Sequence, residues 1–197
     1  MSLMLPTPGM LLTVMLAGEV WLMRGRLSGD RSRAADRGSL RLLMIVIGAS
    51  VALAWLTARA LPQARIASLL GLDAAATNGL AVAGLVLFVA GLGLRWGSIA
   101  WLGRWFTFDV AVAEGQRVVD SGPYRYVRHP AYTGSLLSFL GLGVYGGNAA
   151  SLLVLFVPIA LAFRHRIVIE EAALTAALGS RYADYARRTR RLIPFVY

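Results

Sequence analysis

Five apolar runs, near residues 3–23, 41–58, 79–94, 132–146 and 151–163, approach the length that crosses a hydrocarbon core of about 30 Å. Backbone groups inside lipid must find partners within their own segment, which a helix provides and an open sheet does not. The expected fold class is therefore all-α: a polytopic transmembrane helical protein of about five spans, the last two short enough to need flanking residues. Composition agrees, because 57% hydrophobic and 15% charged residues lie outside the balance of a soluble domain. The 197 residues are too few and too continuous for a second domain, so residues 1–197 read as one integral membrane domain. Three spans fall in 1–94; a helical hairpin and a polar tail fall in 95–197.

The basic charge is all arginine, and its distribution sets an expected orientation. With the N-terminus outside, only Arg59 and Arg65 face outward, so 18 of the 20 arginines obey the positive-inside rule. The tail is then cytoplasmic, and the membrane expected is a bacterial inner (cytoplasmic) membrane. The net charge of +10 reads as orientation and contact with anionic lipid headgroups. No basic stripe interleaved with aromatics supports a nucleic-acid partner. The first run is not a signal peptide, since its charges follow the apolar stretch and no small-residue cleavage site stands out. The absence of cysteine excludes disulfides, thiolate metal sites and a cysteine nucleophile.

Between the spans, 24–41 reads as a cytoplasmic loop and 58–78 as a short interfacial helix on the other face. Small residues in 79–95, among them Gly84 and Gly91, suit close helix packing. The tryptophans of 96–110 suit a segment at headgroup level. Residues 164–197 read as a helix leaving the membrane, breaking near Gly179 and resuming with Ser180 as N-cap. A literal G-x-G-x-x-G at Gly141, Gly143 and Gly146 lacks the strand a dinucleotide fingerprint needs, so helix packing and a turn explain it. His129 and His165 are too few for a metal site, and no metal is expected. No G-x-S-x-G elbow is present for a hydrolase.

The polar groups concentrate in "YRYVRHPAYTG", residues 124–134. Pro130 marks a helix start, because it fixes φ and needs no amide partner there. His129 is held extended just outside that helix. Free amides and the positive end of the helix beside Arg128 and His129 form a receptor for a carboxylate. The plainer reading is interfacial anchoring, which Tyr, Arg and His all favour. A second cluster weighs against it: Glu170 and Glu171 are consecutive acids at a membrane edge, costly unless paired. Arg166 and Glu170 share a helix face at i,i+4 spacing and suit a salt bridge. Adjacent acids point about 100° apart, so one faces a site and the other a structural arginine. Tyr182 and Tyr185 add an aromatic face from the tail.

The motif "GPYRYVRHPAYTG", a hairpin of two spans and "EEAALTAALGSRYADYARRTRRLIPF", in that order, resemble the C-terminal half of the isoprenylcysteine carboxyl methyltransferase and phospholipid methyltransferase superfamily. The resemblance covers about residues 95–195. It implies a helical membrane enzyme that binds S-adenosylmethionine at the cytosolic end of its last two spans, without a Rossmann domain. By that resemblance Tyr124, Arg128, His129, Pro130, Tyr132, Gly134, Glu170, Glu171, Tyr182 and Tyr185 surround the cofactor. The acceptor implied is a lipophilic small molecule or lipid, entering laterally from the bilayer. For a carboxylate acceptor, Arg164 and Arg166 are the positioning candidates. For a phenol, amine or thiol, Glu171 or His129 is the candidate base. The competing classes are a membrane reductase using a nicotinamide cofactor and a non-enzymatic membrane protein.

Overall fold

The computed structural model describes residues 5–24, 36, 38–108, 110, 115–194 and 196–197. Most of the loop expected over 24–41, and 111–114 of the polar loop before the hairpin, lie outside these residues. Helix α1 (Pro8–Met23) starts at Thr7, whose side chain accepts the Met10 amide, with Pro8 in the first turn. Helix α2 spans Ser39–Ala60. The interfacial helix expected over 58–78 is one four-residue turn, α3 (Ile66–Leu69). Helix α4 (Ala74–Leu102) begins at an Asp73 N-cap and runs on through the segment expected to lie at headgroup level. A 3₁₀ turn at Gly103–Trp105 ends it. Helices α5 (Pro130–Gly146) and α6 (Ala149–Leu178) form the hairpin, and α7 (Ser180–Arg188) follows. The break sits at Gly179, whose φ of 56° suits a residue without Cβ. Gly179, not Ser180, is therefore the N-cap of α7.

Among the described residues a helix stands where each of the five spans was expected, but the five differ in length and hydropathy. Three are long and apolar enough to cross a membrane: α2, α4 with its 3₁₀ extension, and α6. Helices α1 and α5 have 16 and 17 residues. At 1.5 Å per residue α5 rises only about 25 Å, and it lies in the interior, with Phe139 and Ser138 almost wholly buried. The lipid-facing surface is apolar: Trp21, Ile45, Trp55, Val86, Val89 and Leu153 are all exposed. The protein is thus a multi-pass helical membrane protein.

Glycines bring α4 and α5 together. A Cβ on Gly91 would stand 2.5 Å from the Ser138 amide, and one on Gly134 would stand 2.5 Å from the Arg95 amide. Gly84 and Gly141 meet in the same way one level up, so Gly141 serves packing, as its spacing predicted. At the end of the bundle away from the tail, the 61–66 turn is pinned to the hairpin. Ile66 donates its amide to Gly147 at 2.9 Å, and Asn148 Nδ2 donates to Leu61 O at 2.8 Å. At the opposite end α1, α2, α4 and the tail converge on the start of α5, and both cavities described below lie there.

Candidate active site

Two short turns aim the 121–134 segment. Pro123 starts the 3₁₀ turn Gly122–Arg125, and the Trp101 ring covers Gly122, whose φ of 57° leaves no place for a Cβ. Tyr124 is buried beneath it, donating to Ser98 O at 3.3 Å and accepting at its own carbonyl from the Tyr185 hydroxyl at 2.8 Å. Burial, and next the Glu170 charge, pushes the Tyr124 phenol well above its usual pKa; burial first does the same for Tyr182 and Tyr185. All three are neutral donors near neutral pH.

The tail then crosses the start of α5 as a strap. Arg128 N donates to Arg190 O at 2.7 Å, His129 N to Arg191 O at 3.0 Å, and Thr133 Oγ1 to Leu192 O at 2.8 Å. The expected carboxylate receptor is changed by this, because the amides of Arg128 and His129 are engaged by tail carbonyls. The Arg128 side chain is also committed: Nε donates to Glu171 at 2.8 Å and Nη1 to Ala186 O and Thr189 O.

Glu170 and Glu171 separate into two roles. Glu171 is saturated by Arg128, by Arg191 through two nitrogens at 2.8 and 3.0 Å, and by His129 Nε2 at 3.3 Å. It latches the strap to α6 and lines neither cavity. Glu170 accepts from the Tyr132 hydroxyl at 2.6 Å and faces a cleft. The i,i+4 salt bridge expected between Arg166 and Glu170 is replaced, since Arg166 pairs with Asp36 at 2.9 Å. Asp36 is itself held below its usual pKa: burial raises it, but the Leu40 and Val110 amides, the Ser39 hydroxyl and Arg166 outweigh burial.

The cleft is open to solvent and combines an apolar lining with a few convergent polar groups, as small-molecule sites do. Tyr124, His129, Tyr132, Glu170, Tyr182 and Tyr185 give it polar edges, and Leu102, Val118, Leu174 and Leu178 an apolar wall. Tyr182 carries a buried hydroxyl without a hydrogen-bond partner among the described residues. A buried donor left unpaired is costly, so this one calls for a ligand acceptor. Pro130 and Gly134 are buried and position α5 from behind, lining neither cavity. Arg164 is exposed and also lines neither.

Sequence reasoning passes over the second cavity, an apolar chamber among α1, α2, α4, α5 and α6. Its walls include Leu12, Met15, Leu43, Ile47, Phe139 and Phe163, and its polar end holds Glu19, Arg95, Ser135 and Arg166. Phe106, Thr107 and Tyr132 line both cavities, so the two meet there. The available signal was Glu19, a lone acid inside an apolar run, which marks function by default.

The family model for phospholipid methyltransferase matches residues 80–181, which contain both glutamates and most of the cleft. Protein-S-isoprenylcysteine O-methyltransferase B of Arabidopsis thaliana is 34% identical over 115 residues, covering 57% of this chain and 58% of that protein. The cobalt-zinc-cadmium resistance protein CzcN of Cupriavidus metallidurans is 36% identical over 104 residues, 52% of this chain and 48% of that protein. In each case the matched segment spans less than two thirds of the relative. The solved structure of a eukaryotic intramembrane Ras methyltransferase, isoprenylcysteine carboxyl methyltransferase, is similar in fold. Its TM-score is 0.61 at 24% identity, with 78% of this chain and 52% of that chain covered. With the match spanning half of its length, this chain belongs to the phospholipid methyltransferase family.

Proposed function

We propose that the protein is an S-adenosylmethionine-dependent methyltransferase acting on a lipophilic acceptor at the cytoplasmic face of the membrane. One observation carries the reading: a polar cleft at the aqueous end and an apolar chamber among the helices share a wall at Phe106, Thr107 and Tyr132. A water-soluble donor and a lipid-soluble acceptor can meet only at such a junction.

The cleft suits the cofactor. The unpaired Tyr182 hydroxyl and the Glu170 oxygen not engaged by Tyr132 face its polar groups, and Leu102, Val118, Leu174 and Leu178 suit a flat adenine. His129, stacked on Tyr132 with ring centroids 5.5 Å apart, closes the side next to α5. When bound, the cofactor supplies a methyl group activated by a positively charged sulfur. The chain's own work is alignment and exclusion of water, the main sources of rate for a displacement without a covalent intermediate. The strap latched by Glu171 holds Tyr182 and Tyr185 against the cleft, and Tyr132 holds the shared wall.

Calorimetric titration of S-adenosylhomocysteine into the detergent-solubilised protein tests the reading. Binding that is weakened in Glu170→Gln supports it. A folded protein that binds a nicotinamide nucleotide instead overturns it.

A further inference from the structure

We infer that the apolar chamber takes a lipophilic acceptor whose nucleophile is an uncharged O–H, N–H or S–H group, and that it discriminates against a lipophilic carboxylate. The inference rests on the methyltransferase reading and narrows its acceptor. A carboxylate acceptor would call for a free arginine at the chamber's polar end. Among the described residues, both arginines there already hold a carboxylate of this chain.

Arg95 is gripped side-on by Glu19, Nε to one oxygen and Nη2 to the other. Its Nη1 donates to Ser135 Oγ at 2.9 Å and Ala131 O at 3.5 Å, so four of its five N–H groups are engaged. Arg166 is filled in the same way. Nε donates to the Tyr132 hydroxyl at 2.9 Å, Nη1 to Asp36 and Ser39 at 2.9 Å each, and Nη2 to Phe108 O. The side chains of these two ion pairs are between 3% and 16% exposed, so water screens them little. An entering carboxylate must either displace Glu19 or Asp36, leaving a buried unpaired charge, or add a third anion to the site. An uncharged head does neither. It finds acceptors in the remaining lone pairs of Glu19 and in the Tyr132 oxygen.

Glu19 lies on α1, outside residues 80–181, so a segment beyond the family match sets this selectivity. Tyr132 gives the proton a route, since its hydroxyl donates to Glu170 at 2.6 Å and it lines both cavities. The acceptor heteroatom forms the bond to the methyl carbon, and the donor's carbon–sulfur bond breaks with its electron pair remaining on sulfur. The acceptor's proton passes to the Tyr132 oxygen as the Tyr132 proton passes to Glu170.

The test compares 4-nonylphenol with 4-nonylbenzoate, matched in shape and differing in charge near neutral pH. Both are titrated into the full chain in detergent and followed by thermal stabilisation. The phenol should bind at least tenfold more tightly. Glu19→Gln, which frees Arg95, should narrow or reverse that preference while S-adenosylhomocysteine binding shows the variant to be folded. Equal or tighter binding of the benzoate by the wild-type protein, or binding of neither probe, overturns the inference without any variant. Failure of the S-adenosylhomocysteine titration alone counts against the methyltransferase reading, since the probe comparison is read without the cofactor.

Discussion

Neighbouring identical side chains can carry opposite duties when a helix turns them about 100° apart, and Glu170 and Glu171 do so. Glu171 joins three cationic or imidazole partners with only 13% of its side chain exposed. Removing its charge leaves Arg128 and Arg191 uncompensated, so Glu171→Gln should cost about 3–5 kcal/mol, read as a lowered melting temperature in detergent. Glu170→Gln, which keeps an oxygen to accept from Tyr132, should change stability by no more than about 0.5 kcal/mol and instead weaken S-adenosylhomocysteine binding, because Glu170 faces the cleft. Tyr182 gives a second residue-level contrast. Its hydroxyl is buried and unpaired, so Tyr182→Phe should stabilise the ligand-free protein by about 1 kcal/mol and weaken cofactor binding about tenfold. A loss of stability on removing that hydroxyl would show that it is paired within the protein.

Contact between α4 and α5 decides whether the chamber keeps its shape, since Arg95 and Ser135 stand directly across that seam. Gly91→Ala forces a methyl to 2.5 Å from the Ser138 amide and should destabilise the protein by about 1–3 kcal/mol. Gly93→Ala, two positions on, meets nothing within 4 Å and should be neutral or gain about 0.5–1 kcal/mol from its helix propensity. Unfolding curves of the two variants side by side check both. This seam was legible in the sequence, because small residues on an apolar helix have few other uses. So was the clustering of Tyr124, Arg128, His129, Tyr132 and Glu170, because so many polar groups at membrane depth need each other. The strap across the start of α5 was not. Two of its hydrogen bonds run between backbone groups 62 residues apart, and the third ends on a backbone carbonyl, so the pairing carries little side-chain signature. The Asp36–Arg166 and Glu19–Arg95 pairs were hidden for a related reason: their partners lie far apart in the chain, and sequence spacing exposes only pairs within one helix.

The whole molecule is polarised along its axis, and that polarity makes its orientation testable. One end carries the turn at 61–66 pinned to Gly147 and Asn148, with Arg59 and Arg65 nearby. The other carries both cavities, the strap and most of the remaining arginines among the described residues. The proposed cofactor, made in the cytosol, would reach the cleft only with that second end facing inward, and the arginine bias predicts the same orientation. The chain has no cysteine, so any cysteine introduced is the sole labelling site. Gln63 and Ser180 are both exposed, at opposite ends of the bundle. In intact cells, Gln63→Cys should react with a membrane-impermeant maleimide, and Ser180→Cys should react only after the membrane is opened. The reverse pattern would put the cleft on the side that lacks the cofactor, and the proposed chemistry could not run there. Labelling of both in sealed cells would mean that the chain does not hold one orientation. The experiment therefore tests the link between charge distribution and catalysis, independently of any assay for the acceptor.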